Sequence, residues 1–186
     1  YLLILIGLIA GAFKLTDALV CKYCQKIPLK LYYLLQITFM LGIGTLIFAK
    51  RVCIYNMAIM AGLTFTVWGL YLWISSLSDA SFPKMWKVAA GSLCMALVAG
   101  CRPQLLIASF LALPIFAGQG KKIFRERKAK ENVSKHLLVL ILFCLPYIIT
   151  AVFLILYNAA RFGSPFDFVF TYNLTTNDMT KRGFHI

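Results

Sequence analysis

Charged residues are scarce in this chain of 186 residues: they make up 13% of it, and only six are Asp or Glu, while 61% of the residues are hydrophobic. A soluble domain carries about a quarter charged residues, so the composition excludes that class. Several apolar runs approach the about 20 residues that cross a bilayer as a helix. We therefore expect an all-α fold, a polytopic transmembrane helical bundle. The expected spans are residues 1–13, 31–49, 52–74, 88–100 with 105–117, and 137–157.

Histidine is also scarce, because the chain contains only His136 and His185. The His and Cys clusters of a zinc site therefore cannot be assembled from the sequence. Six cysteines are scattered along the chain, and Cys21 and Cys24 form a single C-x-x-C pair. One pair is weak evidence for a metal, and the alternative is that the thiols pack as small apolar groups. We predict no cofactor and no metal site, and we leave a need for a divalent metal open.

The first apolar run, residues 1–13, is short and begins without Met. No basic segment precedes it and no small-residue cleavage pattern follows it, so it does not match a signal peptide. We interpret it as a truncated span and expect the chain to be a fragment of a longer protein.

The apolar run from Val88 to Phe116 is interrupted in its middle by Arg102 and Pro103. As one helix it would reach about 43 Å, whereas the hydrocarbon core of a bilayer is about 30 Å thick. Proline removes a backbone donor and disfavours helical geometry in the residue before it. An arginine at membrane depth needs water, protein or an anion beside it. We predict a broken, hairpin-like pair of short helices with a polar turn at a water-accessible cavity.

The distribution of Lys and Arg along the chain supports this hairpin topology. Lys and Arg are enriched in cytoplasmic loops, and the hairpin topology places thirteen of them inside and five outside, with Arg102 in neither group. A single crossing would leave the two sides equal. The net charge of +13 is thus predicted to reflect topology rather than nucleic-acid binding, and the predicted location is the cell (plasma) membrane. Residues 1–157 form the transmembrane region in this interpretation, and residues 158–186 form an extracytoplasmic aromatic segment.

The segment after the last span contains Arg161, a Gly163-Ser164-Pro165 turn signal and Asp167 among several aromatic residues. Phe and Tyr suit the membrane interface. One interpretation is an interfacial segment in which Arg161 extends towards lipid phosphates. The other makes Arg161 a specific ligand for a lipid phosphate.

Two stretches, Leu97–Leu106 and Tyr157–Phe168, resemble parts of bacterial polytopic glycosyltransferases. The first reads LVAGCRPQLL and the second contains RFGSPF. The resemblance is to the GT-C superfamily, near the protein O-mannosyltransferases and aminoarabinose transferases of the glycosyltransferase family 39 type. It covers Val88 to about Tyr172.

The resemblance implies transfer of a sugar from a polyprenyl-phosphate carrier to an unidentified acceptor on the outer face. Arg102 and Arg161 would then bind the carrier phosphate, which a planar guanidinium does well. Gln104 would contact a sugar hydroxyl, although capping a helix start is an equal alternative for it. Asp167 would contact substrate, or would simply belong to the turn. The catalytic base is unknown and is expected in an outer loop before Tyr1.

Two other functions remain open. A transporter or lipid flippase also uses broken helices with polar turns, but the sequence shows no internal repeat, no second broken helix and no acid within a span. A catalytically inert membrane scaffold of the same fold is the third possibility. The sequence upstream of Tyr1 would separate them, since an acid in an outer loop favours the transferase.

Overall fold

A computed structural model of the chain describes residues 1–24, 27–50, 52–77, 83–117, 133–163 and 165. About nine-tenths of these residues are helical, and none of them lies in a strand. The fold of the described residues is therefore all-α, as expected. The helices are α1 (Leu2–Tyr23), α2 (Leu29–Gly42), α3 (Thr45–Lys50), α4 (Ile54–Ser76), α5 (Met85–Cys101), α6 (Pro103–Ala117) and α7 (Val133–Phe162).

Three of the helical segments are long and apolar enough to cross a membrane: Leu2–Tyr23, Ile54–Ser76 and Leu137–Arg161. The first of them extends well beyond the apolar run of residues 1–13. Lys14 and Asp17 do not end the helix, because both lie on its exposed side. The helix continues because its backbone hydrogen bonds do not depend on side-chain hydropathy.

The apolar run of residues 31–49 was expected to be one span, but it is divided between α2 and α3. Gly44 lies in the left-handed region at φ 79°, where a glycine ends a helix without steric cost. Its N–H donates to the carbonyl of Leu41 at 3.0 Å, and the Thr45 hydroxyl donates to the carbonyl of Met40 at 2.9 Å. These bonds satisfy carbonyls at the end of α2, so the turn is built from local interactions that hydropathy does not report.

Helix α4 packs against α1 on one side and against α5 on another. At the α1 contact, the Trp68 indole N–H donates to the carbonyl of Gly7 at 2.9 Å. At the α5 contact, Gly69 and Gly91 face each other: a Cβ on either one would lie 3.1 Å from the carbonyl oxygen of the other. The two backbones therefore meet where only glycine fits, which is a common way for apolar helices to associate closely.

Two lysines mark the carboxyl end of α4. Lys22, in the last turn of α1, donates to the carbonyls of Ile74 and Leu77 at 3.5 and 3.3 Å. Lys87, in the first turn of α5, donates to the carbonyl and hydroxyl oxygens of Ser75 at 3.4 and 3.1 Å. Cations stabilise a helix carboxyl end. These contacts, with those of Gly7 and Gly91, show that α1 runs parallel to α4 and that α5 runs antiparallel to it.

Helix α6 returns along α4 and α5. Its residues Pro103–Leu111 form a 3₁₀ helix, and residues 112–117 are α-helical. Near its end, Phe116 packs edge-on against Trp73 and Phe143 with ring centroids 6.0 and 5.9 Å apart. The Tyr147 hydroxyl bonds to the Ser109 hydroxyl at 2.9 Å. These contacts join α6 to the buried indole of α4 and to the first part of α7.

The residues group into two compact units, Tyr1–Tyr147 and Ile148–Ile186, and the boundary between them lies inside α7. The boundary that the sequence suggested, between residues 157 and 158, falls within the same helix. In the second unit the described residues are the rest of α7 and the turn at Gly163, whose φ is 72°.

Candidate functional site

The helix pair predicted around Arg102 is present, and its break is confirmed. Helix α5 ends at Cys101, Arg102 is extended at φ −154° and ψ 100°, and α6 begins at Pro103. The Arg102 N–H still donates to the carbonyl of Val98 at 2.8 Å, and its carbonyl accepts from the Leu105 N–H at 3.0 Å. Proline at the first helical position needs no hydrogen-bond acceptor. One residue therefore joins the two helices, and both of its backbone groups are satisfied.

The Arg102 guanidinium lies over the ring of Tyr55, with 4.0 Å between the guanidinium carbon and the ring centroid. Its Nε is buried and has no hydrogen-bond partner among the described residues. Asp17 is the one acidic residue in the described ranges, and it lies exposed on α1 and accepts from the Cys21 thiol at 3.9 Å. The partner of Arg102 is thus an aromatic face, which attracts a cation without neutralising its charge.

Gly62 allows this arrangement. A Cβ at Gly62 would lie 2.9 Å from Cδ1 of Leu105, 3.6 Å from Cβ of Cys101 and 3.8 Å from Cβ of Arg102. The backbone of α4 therefore passes directly against the break between α5 and α6. Tyr55 precedes Gly62 by seven residues, so the two share one face of the helix. That face of α4 supports the break.

Gln104 is exposed in the first turn of α6. No side-chain hydrogen bond caps the start of this helix, so the capping role considered for Gln104 is not observed. Gln104 follows Arg102 by two residues, just after the break. A sugar contact by Gln104 stays a prediction.

Arg161 belongs to the second compact unit and is described there by itself. It lies exposed in the last turn of α7, and its guanidinium donates to the Tyr157 hydroxyl at 2.7 Å. The guanidinium carbon lies 5.8 Å from the Tyr157 ring centroid. Tyr157 lies one helical turn before Arg161 on α7, so both contacts are local to this helix. Asp167 lies outside the described residues, and its role stays a prediction.

Tyr55 and Gly62 are the site residues that the sequence reasoning did not select. The predicted topology contained a signal for them, because it placed the start of the 52–74 span and the 101–104 turn at the same side. An aromatic residue at the start of one element and an arginine at the turn of another are then candidates for contact. Residue spacing alone did not indicate which side chains meet.

Comparison with protein-family models, with curated proteins and with solved structures finds no match. The chemistry of the site must therefore be argued from its side chains. Within the described ranges, no three His, Cys, Asp or Glu side chains form a group able to hold a metal ion. The functional group that remains at this site is the guanidinium of Arg102.

Proposed function

We propose that this chain is part of a polytopic membrane protein and that the break at Arg102 binds the phosphate of a lipid-linked substrate at the outer face. Three helices of sufficient length and hydropathy support the membrane assignment. Exposed apolar side chains support it too, since 0% of the most apolar stretch within Leu137–Arg161 is buried. In water such a surface would drive aggregation, whereas in a bilayer it is solvated.

The position of the break along α4 supports an interfacial site. The 23 residues of α4 extend about 34 Å, enough for a hydrocarbon core of about 30 Å. Tyr55 is the second residue of α4 and Lys22 contacts the opposite end. A crossing by α4 with its basic end inside places Tyr55 and Arg102 at the outer interface, where tyrosine is enriched and lipid phosphates lie.

The lengths of α5 and α6 suit the same arrangement. Helix α5 has 17 residues and extends about 26 Å. Helix α6 has fewer residues, but nine of them form a 3₁₀ helix and rise about 2.0 Å each. It therefore extends about 27 Å, whereas the same residues would extend about 22 Å as an α-helix. The two members of the hairpin are thereby nearly equal in length, and both approach the thickness of the hydrocarbon core.

The observation that carries the proposal is the unneutralised charge of Arg102. A guanidinium stacked on Tyr55, with a buried Nε that has no protein acceptor in the described ranges, is suited to an anionic ligand. Two phosphate oxygens can accept parallel hydrogen bonds from two N–H groups of one guanidinium. We propose that Arg102 binds the phosphate of a polyprenyl-phosphate-linked sugar. A phosphate contact by Arg161 stays a prediction from the family resemblance.

On this basis the proposed activity is glycosyl transfer to an acceptor on the outer face. As the acceptor forms its bond to the anomeric carbon, the bond between that carbon and the phosphate oxygen breaks. Negative charge then grows on the leaving phosphate, and a fixed guanidinium stabilises that charge in the transition state. Gln104, exposed beside Arg102, is the proposed contact to the sugar. The transfer step itself is supported by the family resemblance and not by the geometry.

The test is transfer of a labelled sugar from polyprenyl-phosphate donors by the full-length protein in lipid nanodiscs. Arg102→Ala is expected to abolish turnover, and Arg102→Lys to restore only part of it, because a lysine keeps the charge but not the fork of donors. Loss of turnover in Arg161→Ala would support the role that the resemblance predicts for Arg161. Lys14→Ala, at an exposed position of α1, is the matched control and is expected to be active.

Two results would contradict the proposal. Turnover that survives Arg102→Ala would remove the phosphate site from the reaction. An intact protein that transfers no sugar from any donor, but moves lipid between leaflets in a manner that depends on Arg102, would replace the transferase with a flippase.

A further inference from the structure

The C-x-x-C pair lies at the carboxyl end of α1. Cys21 is in the last turn of the helix, and Cys24 is its cap residue. The Cys24 N–H donates to the carbonyl of Val20 at 2.9 Å, while Cys24 itself leaves helical geometry at φ −136° and ψ 52°. That bond keeps the Cys24 backbone at the last turn of α1, three residues after Cys21.

Both thiols are exposed and line one cavity of about 340 Å³. Tyr32 also lines it, and its hydroxyl accepts a 3.1 Å hydrogen bond from Nε2 of Gln36, a side chain only 2% exposed. Gln36 thus holds the phenol in place beside the pair. The remaining lining residues are apolar: Val20, Ile27 and Leu29.

The arrangement distinguishes this pair from the other cysteines. Cys94 and Cys101 are partly buried in α5, and Cys53 and Cys144 are exposed but far apart in the sequence from any second thiol. The expectation that the thiols pack as small apolar groups does not describe Cys21 and Cys24, since neither is buried. Their exposure leaves both sulfur atoms accessible to a ligand.

We propose that Cys21 and Cys24 bind a soft monovalent metal ion of the copper(I) class. Thiolates select soft ions, and a closed-shell monovalent ion accepts two sulfur ligands without needing more. A tetrahedral zinc site requires four ligands, whereas no third His, Cys, Asp or Glu side chain in the described ranges groups with this pair. The pair therefore suits an ion of low coordination number.

The binding step releases protons and leaves the oxidation state of the ion unchanged. Each thiol loses its proton as its sulfur binds the metal. The Cys21 thiol donates to Oδ1 of Asp17 at 3.9 Å, and metal binding replaces that contact. Both thiols are exposed, so the released protons pass to the solvent.

The metal site is separate from the Arg102 site. Lys22, between the two cysteines, contacts the carboxyl end of α4, whereas Arg102 contacts Tyr55 at the opposite end. The compartment of the site rests on the orientation proposed above, which places this end in the cytoplasm, where thiols stay reduced. The metal chemistry does not depend on sugar transfer.

The test is an anaerobic titration of the reduced full-length protein in detergent with copper(I), in competition with the chromogenic chelator bicinchoninate. One equivalent is expected to bind. Cys21→Ser and Cys24→Ser are each expected to weaken binding by more than the about 10- to 100-fold that loss of an outer-shell partner costs. Cys53→Ser and Cys144→Ser, at exposed single thiols, are the matched controls and are expected to bind as the unchanged protein does.

Copper binding that persists when Cys21 and Cys24 are both replaced would overturn the proposal, as would an unchanged protein that does not compete with the chelator. Size-exclusion profiles of the variants verify that each is folded. The sugar-transfer assay of the double variant separates the two proposals, because its Arg102-dependent turnover is expected to be unchanged. If the protein transfers no sugar, the copper titration still tests the metal proposal.

Discussion

The guanidinium of Arg102 lies 4.0 Å from the centroid of the Tyr55 ring, so the break between α5 and α6 is held against the first turn of α4. The ring attracts the cation without neutralising its charge, so the guanidinium can still bind an anion. A cation over an aromatic face is stabilised by about 0.5 to 2 kcal/mol. Tyr55 therefore acts on the proposed phosphate site through the position of Arg102.

The first prediction concerns this ring. Tyr55→Leu is expected to raise the dissociation constant for a short-chain polyprenyl phosphate by about 2- to 30-fold, which corresponds to the stabilisation of the cation by the ring. Tyr55→Phe keeps the ring and is expected to bind like the unchanged protein. Isothermal titration in detergent measures both.

Tyr33→Leu is the control for the loss of an exposed tyrosine elsewhere, since Tyr33 is 55% exposed on α2. Equal affinities for Tyr55→Leu and Tyr55→Phe would show that the ring does not orient Arg102. Weakened binding in Tyr33→Leu would show that the effect is a general one on the membrane surface.

A second prediction uses the close contact of α4 with α5. A Cβ at Gly91 would lie 2.6 Å from Cδ1 of Trp73, which is fully buried, and 3.1 Å from the Gly69 carbonyl oxygen. Neither neighbour can move away, so Gly91→Ala is expected to lower the free energy of unfolding by about 1 to 3 kcal/mol. Gly62→Ala is expected to cost less, because the atom it meets is the end of the flexible Leu105 side chain.

Gly42 is the matched control for these substitutions. It is the last residue of α2, and a Cβ there meets nothing within 4 Å. Gly42→Ala is expected to be neutral or stabilising by up to about 1 kcal/mol, since alanine is the better helix former. Denaturation of the variants in mixed micelles gives the order of their free energies of unfolding. A Gly91→Ala protein as stable as Gly42→Ala would contradict the close contact between α4 and α5.

The break at Arg102 could be predicted because three properties of the sequence converge there: the length of the apolar run, the proline and the arginine. Other features could not be predicted from hydropathy, since it reports apolar runs and not helix ends. The exposed Lys14 leaves α1 uninterrupted, while Gly44 divides an apolar run that seemed continuous. The contact with Tyr55 depends on how α4 packs, which no local pattern of one sequence encodes.

A third prediction concerns the carboxyl end of α4. Lys22→Met and Lys87→Met keep much of the apolar stem of each side chain and remove the donors that reach the carbonyls of residues 74–77. Each is expected to lower the free energy of unfolding by about 0.3 to 1 kcal/mol, the usual effect of a cation at a helix carboxyl end. Thermal unfolding at low and high salt measures the loss, which is expected to shrink as salt screens the charge.

Lys30→Met is the control for this pair, because Lys30 is exposed in the first turn of α2. Its removal is expected to change stability little. If all three variants lost the same stability, the effect would be one of net charge, and the lysines would not stabilise α4 in the way that the contacts indicate.

The final prediction tests whether α4 crosses the membrane. Cys53 is the exposed cap residue at the amino end of α4, and Cys21 is exposed near Lys22, which contacts the carboxyl end. Single-cysteine variants that keep one of these thiols are treated in intact cells with a membrane-impermeant maleimide. Cys53 is expected to be labelled from outside, whereas Cys21 is expected to react only after permeabilisation, because the basic end of the bundle faces the cytoplasm. Labelling of both thiols in intact cells would place the two ends of α4 on one side and would remove the outer-face position proposed for Arg102.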